Sequence, residues 1–167
     1  MQKNYKSTII IARTGVVSAL YVVLSLVSLP VGAIQFRASE GLTLLALFMP
    51  ESIIALFLGC IVTNLITGCA FLDIALGSVI TLTAGVLTYI VGKTIKNTAF
   101  KIIVGGIFPI FLNALFLPLI WSVCYGAEHV YYIQALLLLA SQSLSVYGVG
   151  TAVYLGARKI KALYKPE

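Results

Sequence analysis

Residues 40–68 read EGLTLLALFMPESIIALFLGCIVTNLITG. This stretch is either one long membrane span interrupted at Pro50-Glu51 or two spans that turn there, and the choice decides the fold. Around it lie clear apolar spans at 9–29, 72–92, 102–124 and 130–156, each near the roughly 20 residues that cross about 30 Å of hydrocarbon. Lysine and arginine arbitrate, because cytoplasmic loops concentrate them. With one span in the stretch there are five helices, and Lys93, Lys96, Lys101, Arg158, Lys159, Lys161 and Lys165 all fall opposite Lys3, Lys6 and Arg13. With two spans there are six helices, every one of those residues is cytoplasmic, and Arg37 alone lies outside.

The two-span reading requires a tight turn at Met49-Pro50-Glu51. Proline suits it, lacking an N–H and resisting extension of the preceding helix. The second helix is then short. Residues 37–49 at about 1.5 Å per residue cover roughly 20 Å. The preceding segment AIQFRAS must dip inward to meet it. Irregular backbone at membrane depth is tolerated where protein buries it or where it lines a cavity, so the half span implies a cavity open to the outside.

Composition agrees with a membrane protein. The chain of 167 residues is 60% hydrophobic and 10% charged, with mean hydropathy +1.08, whereas soluble domains sit near 45–50% apolar and about 25% charged. We read residues 1–167 as a single membrane-embedded, substrate-binding domain with no room for a soluble ATPase or cofactor-binding domain. The N-terminal segment has a basic start and an apolar middle, but it is too long for a signal peptide and no A-x-A-like site follows; we read it as a retained first helix. The net charge of +6 is accounted for by topology and needs no nucleic acid. Cys60, Cys69 and Cys124 lack C-x-x-C spacing and read as small packing residues.

In this topology Arg37, Glu40, Asp73, Glu128 and His129 lie at the outer ends of the helices. Asn64, Asn113, Trp121, Tyr125 and Gln142 lie in the outer half or near the middle, and the inner half is nearly all apolar until the lysine-rich ends. This describes a polar pocket facing out over a sealed floor. Each group has a structural alternative. Arg37 and Glu40, at i and i+3, either pair with each other or bind a ligand, the default for ionisable groups at membrane depth. Asp73 is either a ligand group or an anion at a helix N-terminus. Glu128 and His129 read as solvated loop residues. Asn64 and Asn113 are site groups or interhelical hydrogen-bond glue. Gln142, mid-helix, needs a partner or a ligand. Trp121 and Tyr125 are site groups or, like Tyr131 and Tyr132, interfacial aromatics.

No catalytic or metal-binding constellation is present. The lone His129 has no companion at ligand spacing, and neither G-x-S-x-G nor a Walker A sequence occurs. No cofactor is expected. On the first helix Ala12, Gly15 and Ala19 share a face, with Gly15 and Ala19 a small-xxx-small pair that permits close helix approach, either to a partner or within the chain.

The stretches IQFRASEGLTLL, FMPESIIALFLGCIVTNLITG and FLDIALGSVITLTAG together resemble the QueT family, substrate-binding S components of energy-coupling factor (ECF) transporters of bacteria. The resemblance runs from about residue 12 to 92, with a weaker echo in the last helix. It implies an ECF S-component-like fold: all-α, six transmembrane helices, both termini cytoplasmic, in the bacterial cell membrane. It implies a queuosine precursor, a 7-deazaguanine base or relative, as substrate. It implies partners too, a transmembrane coupling subunit and two cytoplasmic ATPases that supply the energy this chain does not, and a helix-one face like Ala12, Gly15 and Ala19 for docking them. The family pattern departs here in Gln142, where a Glu is expected and whose neutral amide suits a neutral ligand, and in Gly41, where alanine is expected.

A guanine-like edge offers two adjacent N–H donors and a carbonyl. A carboxylate, Glu40 or Asp73, can take both donors, while Arg37, Asn64 or Gln142 meets the carbonyl. Trp121 or Phe71 would stack on the ring. The alternatives are an S component for another vitamin or nucleobase-like metabolite, and a small stand-alone secondary transporter. Secondary transport usually places ionisable or oxygen ligands near the midplane, where this chain has only amides.

Overall fold

The computed structural model describes residues 2–27, 30–31, 34–126 and 131–160. Glu128, His129, Lys161 and Lys165 lie outside the described residues. Among the described residues the regular structure is helical apart from one small ribbon. Helix α1 (Gln2–Leu26) is followed by β1 (Pro30–Val31) and β2 (Ile34–Gln35), an antiparallel pair with Val31 opposite Ile34. A 3-10 helix (Ala38–Leu47), α2 (Glu51–Ile66), α3 (Phe71–Thr94) and α4 (Thr98–Tyr125) come next. The last rod comprises α5 (Tyr131–Ser143), a π-helical segment (Leu144–Gly150) and α6 (Thr151–Lys159).

Four helices, Ser7–Leu26, Phe71–Thr94, Thr98–Tyr125 and Tyr131–Lys159, are long and apolar enough to cross a membrane. The 3-10 helix and α2 are shorter apolar helices. They fill the ambiguous stretch as two rods broken at Met49 and Pro50, the turn expected there. The Ser52 hydroxyl donates to the Met49 carbonyl at 2.6 Å. Arg13 and Glu51 form an ion pair at 3.2 Å that ties α1 to the start of α2.

The short second helix departs from expectation in type. It is 3-10 rather than α, and its rise of about 2.0 Å per residue lets ten residues do what thirteen would do as an α-helix. Ser39–Leu47 are all buried, so this rod is the centre of the fold rather than part of its wall. Three residues per turn align i with i+3, giving three faces. Leu42 and Leu45 pack with Val17 and Tyr21 of α1 and with Ala55, Leu56 and Cys60 of α2. Leu44 and Leu47 pack with Val91, Ile102, Ile110, Val146 and Tyr154. The third face carries Glu40, Thr43 and Ala46, also buried.

Close backbone approach holds this rod. A Cβ on Gly41 would stand 2.7 Å from the Gly150 nitrogen and 2.8 Å from the Ser145 carbonyl oxygen. One on Gly92 would overlap the Leu47 carbonyl. The departure at Gly41 is therefore a packing requirement. The π segment, a local widening often found at functional sites, brings the Ser145 hydroxyl to the Arg37 carbonyl at 2.6 Å. Within α4, Pro109 withdraws the N–H that would bond Gly105. The Thr88 hydroxyl donates to that carbonyl instead, at 2.9 Å, the repair expected where no water is at hand.

Candidate functional site

Most of the buried polar side chains that sequence analysis singled out gather at one end of the bundle. A small cavity there is lined by Arg37 and Glu40 at the start of the 3-10 helix, Cys60 and Asn64 of α2, Asp73, Gly77 and Thr81 of α3, and Asn113, Leu117 and Trp121 of α4. It measures about 20 Å³, room for about one water molecule. A ligand of a dozen heavy atoms would need several times that volume and would enter only if the surrounding helices parted. At the other end of the bundle Lys93, Lys96, Lys101, Arg158 and Lys159 collect on the α3–α4 link and the end of α6, where Arg158 donates to the Thr98 hydroxyl at 3.0 Å.

Glu40 is the best-held group in the cavity. Its Oε1 accepts from the Tyr21 hydroxyl at 2.7 Å and its Oε2 accepts from Asn113 Nδ2 at 3.0 Å. Each carboxylate oxygen offers about two acceptor positions, so each keeps one. A carboxylate fixed from both sides, with one free acceptor position on each oxygen, matches a ligand edge carrying two parallel N–H donors. Across the cavity, Asp73 Oδ2 accepts from Trp121 Nε1 at 3.2 Å. Asn64 Nδ2 rests on Cys60 Sγ at 3.7 Å and the Thr81 hydroxyl on the same sulfur at 3.6 Å. These are weak contacts that a better acceptor would displace.

The structure brings together five of the seven residues expected to bind substrate: Arg37, Glu40, Asn64, Asp73 and Trp121. Arg37 and Glu40 line the same cavity without a direct ion pair; among the described residues the direct pair is Arg13–Glu51. Phe71 is 80% exposed and is not part of the cavity lining. Gln142 is 2% exposed and also stands outside the lining. Its Oε1 has no hydrogen-bond partner among the described residues.

Sequence reasoning overlooked Tyr21. The signal available was the hydroxyl of an aromatic residue well inside a membrane-spanning helix, where it must find a partner when buried. Asn113, a site group or interhelical glue by sequence, donates directly to Glu40. Cys60, read as a packing residue, lines the cavity as a hydrogen-bond acceptor. Tyr125 accepts from the Ala70 N–H at 3.0 Å, bracing the α2–α3 turn against the end of α4.

On α1, Ala12, Gly15 and Ala19 are exposed. Two apolar grooves flank them. One, about 470 Å³, runs between α1 and α2 past Gly15, Ser18, Ala19, Leu58 and Val62; the other, about 320 Å³, runs past Ala12, Val16, Leu45 and Val153.

The family model described as QueT transporter matches residues 11–159. The chain belongs to that family, and with its four long apolar helices it is a multi-pass membrane protein of transport rather than catalysis. Neither a curated protein nor a solved structure matches it.

Proposed function

We propose that this member of the QueT transporter family is the substrate-capturing subunit of an ECF-type importer, and that its cavity takes a queuosine precursor of the 7-deazaguanine class from outside. The observation that carries this reading is Glu40, buried and held through both oxygens by Tyr21 and Asn113, with one acceptor position left on each. The two adjacent donors of a guanine-like edge complement it, Arg37 and Asn64 are at hand for the carbonyl, and Trp121 supplies a ring face.

Charge narrows the choice of precursor. Two carboxyl groups, Glu40 and Asp73, and one guanidinium, Arg37, line the cavity, a formal balance of −1. An unbalanced charge away from bulk water is costly, and a ligand bearing one cation removes the imbalance. Gln142, whose neutrality argued for a neutral ligand, is not among the lining residues. An aminomethyl-7-deazaguanine therefore fits this lining better than its uncharged relatives.

The topology we propose has six crossings with both termini cytoplasmic. It puts the lysine- and arginine-bearing end of the bundle inside, as the charge rule requires, and the cavity outside. The coupling subunit docks on α1. Gly15 supports this: a Cβ there would meet nothing within 4 Å, so its small size serves no packing inside this chain.

Uptake assays test this reading. Cells expressing the protein with the coupling subunit and both ATPases should accumulate labelled aminomethyl-7-deazaguanine. Cells expressing the protein alone should bind but not accumulate it. Accumulation by the protein alone would mark a stand-alone secondary transporter.

A further inference from the structure

The cavity is small, and the way it must widen singles out one helix. Gly59 and Cys60 are neighbours in α2. Cys60 lines the cavity, while a Cβ on Gly59 would stand 2.9 Å from Cβ and Cδ1 of Tyr21. This turn of α2 is thus pressed between the cavity and the Tyr21 ring with no slack. The 3-10 helix cannot retreat on the other side, because Gly41 already meets Gly150 and Leu47 already meets Gly92 backbone to backbone. Helix α1 is the least embedded of the four long helices. Its buried side chains among the described residues are Val17 and Tyr21.

What ties α1 to the site is two hydrogen bonds to consecutive residues of the 3-10 helix. Tyr21 donates to Glu40 at 2.7 Å, and Ser25 donates to Ser39 at 2.7 Å. Widening the cavity by moving α2 outward drives Gly59 into the Tyr21 ring and pulls the hydroxyl from Glu40.

We infer that Tyr21 and Gly59 form a relay in which filling of the cavity displaces α1 relative to the 3-10 helix and carries the exposed Gly15–Ala19 face with it. The two states are defined by one contact: Tyr21 bonded to Glu40 Oε1 with the cavity contracted, or released with α1 displaced and a ligand N–H in its place on that oxygen, while Asn113 keeps the carboxylate oriented through Oε2. Because Ser18 and Ala19 of α1 and Leu58 and Val62 of α2 line one groove, the displacement reshapes that groove. This rests on the reading of the cavity as a ligand site, and it adds a route by which occupancy is reported to the surface. Coupling of this kind is reciprocal, so anything that holds α1 displaced also raises ligand affinity.

The test places an environment-sensitive fluorophore at Ala19→Cys, with Cys69 and Cys124 replaced by serine, in full-length protein in nanodiscs. The probe ligand is aminomethyl-7-deazaguanine. Gly59→Ala forces the Tyr21 ring away, and Tyr21→Phe removes the donor. The relay predicts that both variants, without ligand, emit at the position that wild type reaches only when saturated, and that ligand then adds little. It also predicts that Gly59→Ala binds the ligand about fivefold more tightly, having already made the displacement. Should Gly59→Ala fail to fold, Tyr21→Phe decides alone. A Tyr21→Phe protein whose free emission and ligand response both match wild type overturns the relay. If wild type binds no deazaguanine and the variants still move the label, the relay stands and the substrate assignment falls.

Discussion

Asn113 and Glu40 meet at 3.0 Å across 73 positions of sequence. That contact joins α4 to the first turn of the 3-10 helix, and it makes Glu40 a group of fixed direction rather than a mobile charge. With Tyr21 on its other oxygen, the carboxylate is oriented before any ligand arrives. Orientation of this kind removes part of the ordering cost of binding.

Glu40→Gln is expected to weaken deazaguanine binding at least about tenfold, since hydrogen bonds to a charged partner contribute about 1.5–3 kcal/mol. The amide replaces one acceptor by a donor, which must face Tyr21, Asn113 or the ligand. Isothermal calorimetry on the variant, with thermal melting to verify the fold, checks this. Unchanged affinity removes Glu40 from the site.

Asn113→Leu leaves Glu40 Oε2 without its buried donor. Both stability and affinity should fall, stability by about 1–3 kcal/mol. A melting curve in detergent reads the first and calorimetry the second. A variant as stable as wild type would mean that the carboxylate is satisfied elsewhere.

Trp121 is the sole tryptophan of the chain, and it lines the cavity. Ligand binding should therefore change intrinsic tryptophan emission in proportion to occupancy. Trp121→Ala should lose affinity by an amount near the 1–3 kcal/mol of one base-stacking contact, whereas Phe71→Ala should leave affinity unchanged. Emission that ignores a ligand shown by calorimetry to bind would take Trp121 out of the site.

Gly41 and Gly15 make opposite predictions. Gly41→Ala must push against the backbone of Gly150 and Ser145 and should destabilise the fold by about 1–3 kcal/mol or more. Gly15→Leu projects into open space and should leave the melting temperature within the small range of surface changes. The same Gly15→Leu variant should block co-purification with the coupling subunit. Normal assembly by Gly15→Leu would move docking away from this face.

Much of the fold was legible in the sequence, and the limits have physical causes. Apolar length located the apolar spans of the four long helices to within a few residues of their observed ends, because burial in lipid demands uninterrupted hydrophobicity, while the polar start of α1 extends the helix back to Gln2. Pro50 marked the break in the ambiguous stretch for the same steric reason that it operates in the structure. The helix type of residues 38–47 was not legible. An apolar run such as LTLLAL is compatible with α or 3-10 geometry, and the packing of Gly41 on Gly150 and Leu47 on Gly92 belongs to long-range contacts.

The site was legible by depth and not by direction. Asp73 lines the cavity, but Phe71, two residues earlier, is turned about 200° around the helix at roughly 100° per residue, and it stands 80% exposed. Gln142 is a polar group in mid-helix, buried as its position suggests, yet it is not among the residues that line the cavity. Tyr21 was hidden because its partner, Glu40, lies on another helix, and no local pattern links the two.

The central claim is that the Glu40 cavity captures a 7-deazaguanine from outside. The most direct test is calorimetric titration of the purified protein alone with aminomethyl- and cyano-7-deazaguanine, queuine, guanine and several water-soluble vitamins. The account predicts tight binding of the aminomethyl compound, near the −12 kcal/mol of a nanomolar ligand, and weaker binding of the uncharged bases. Binding of a vitamin in place of any deazaguanine, or no binding by a folded protein across the panel, would contradict it.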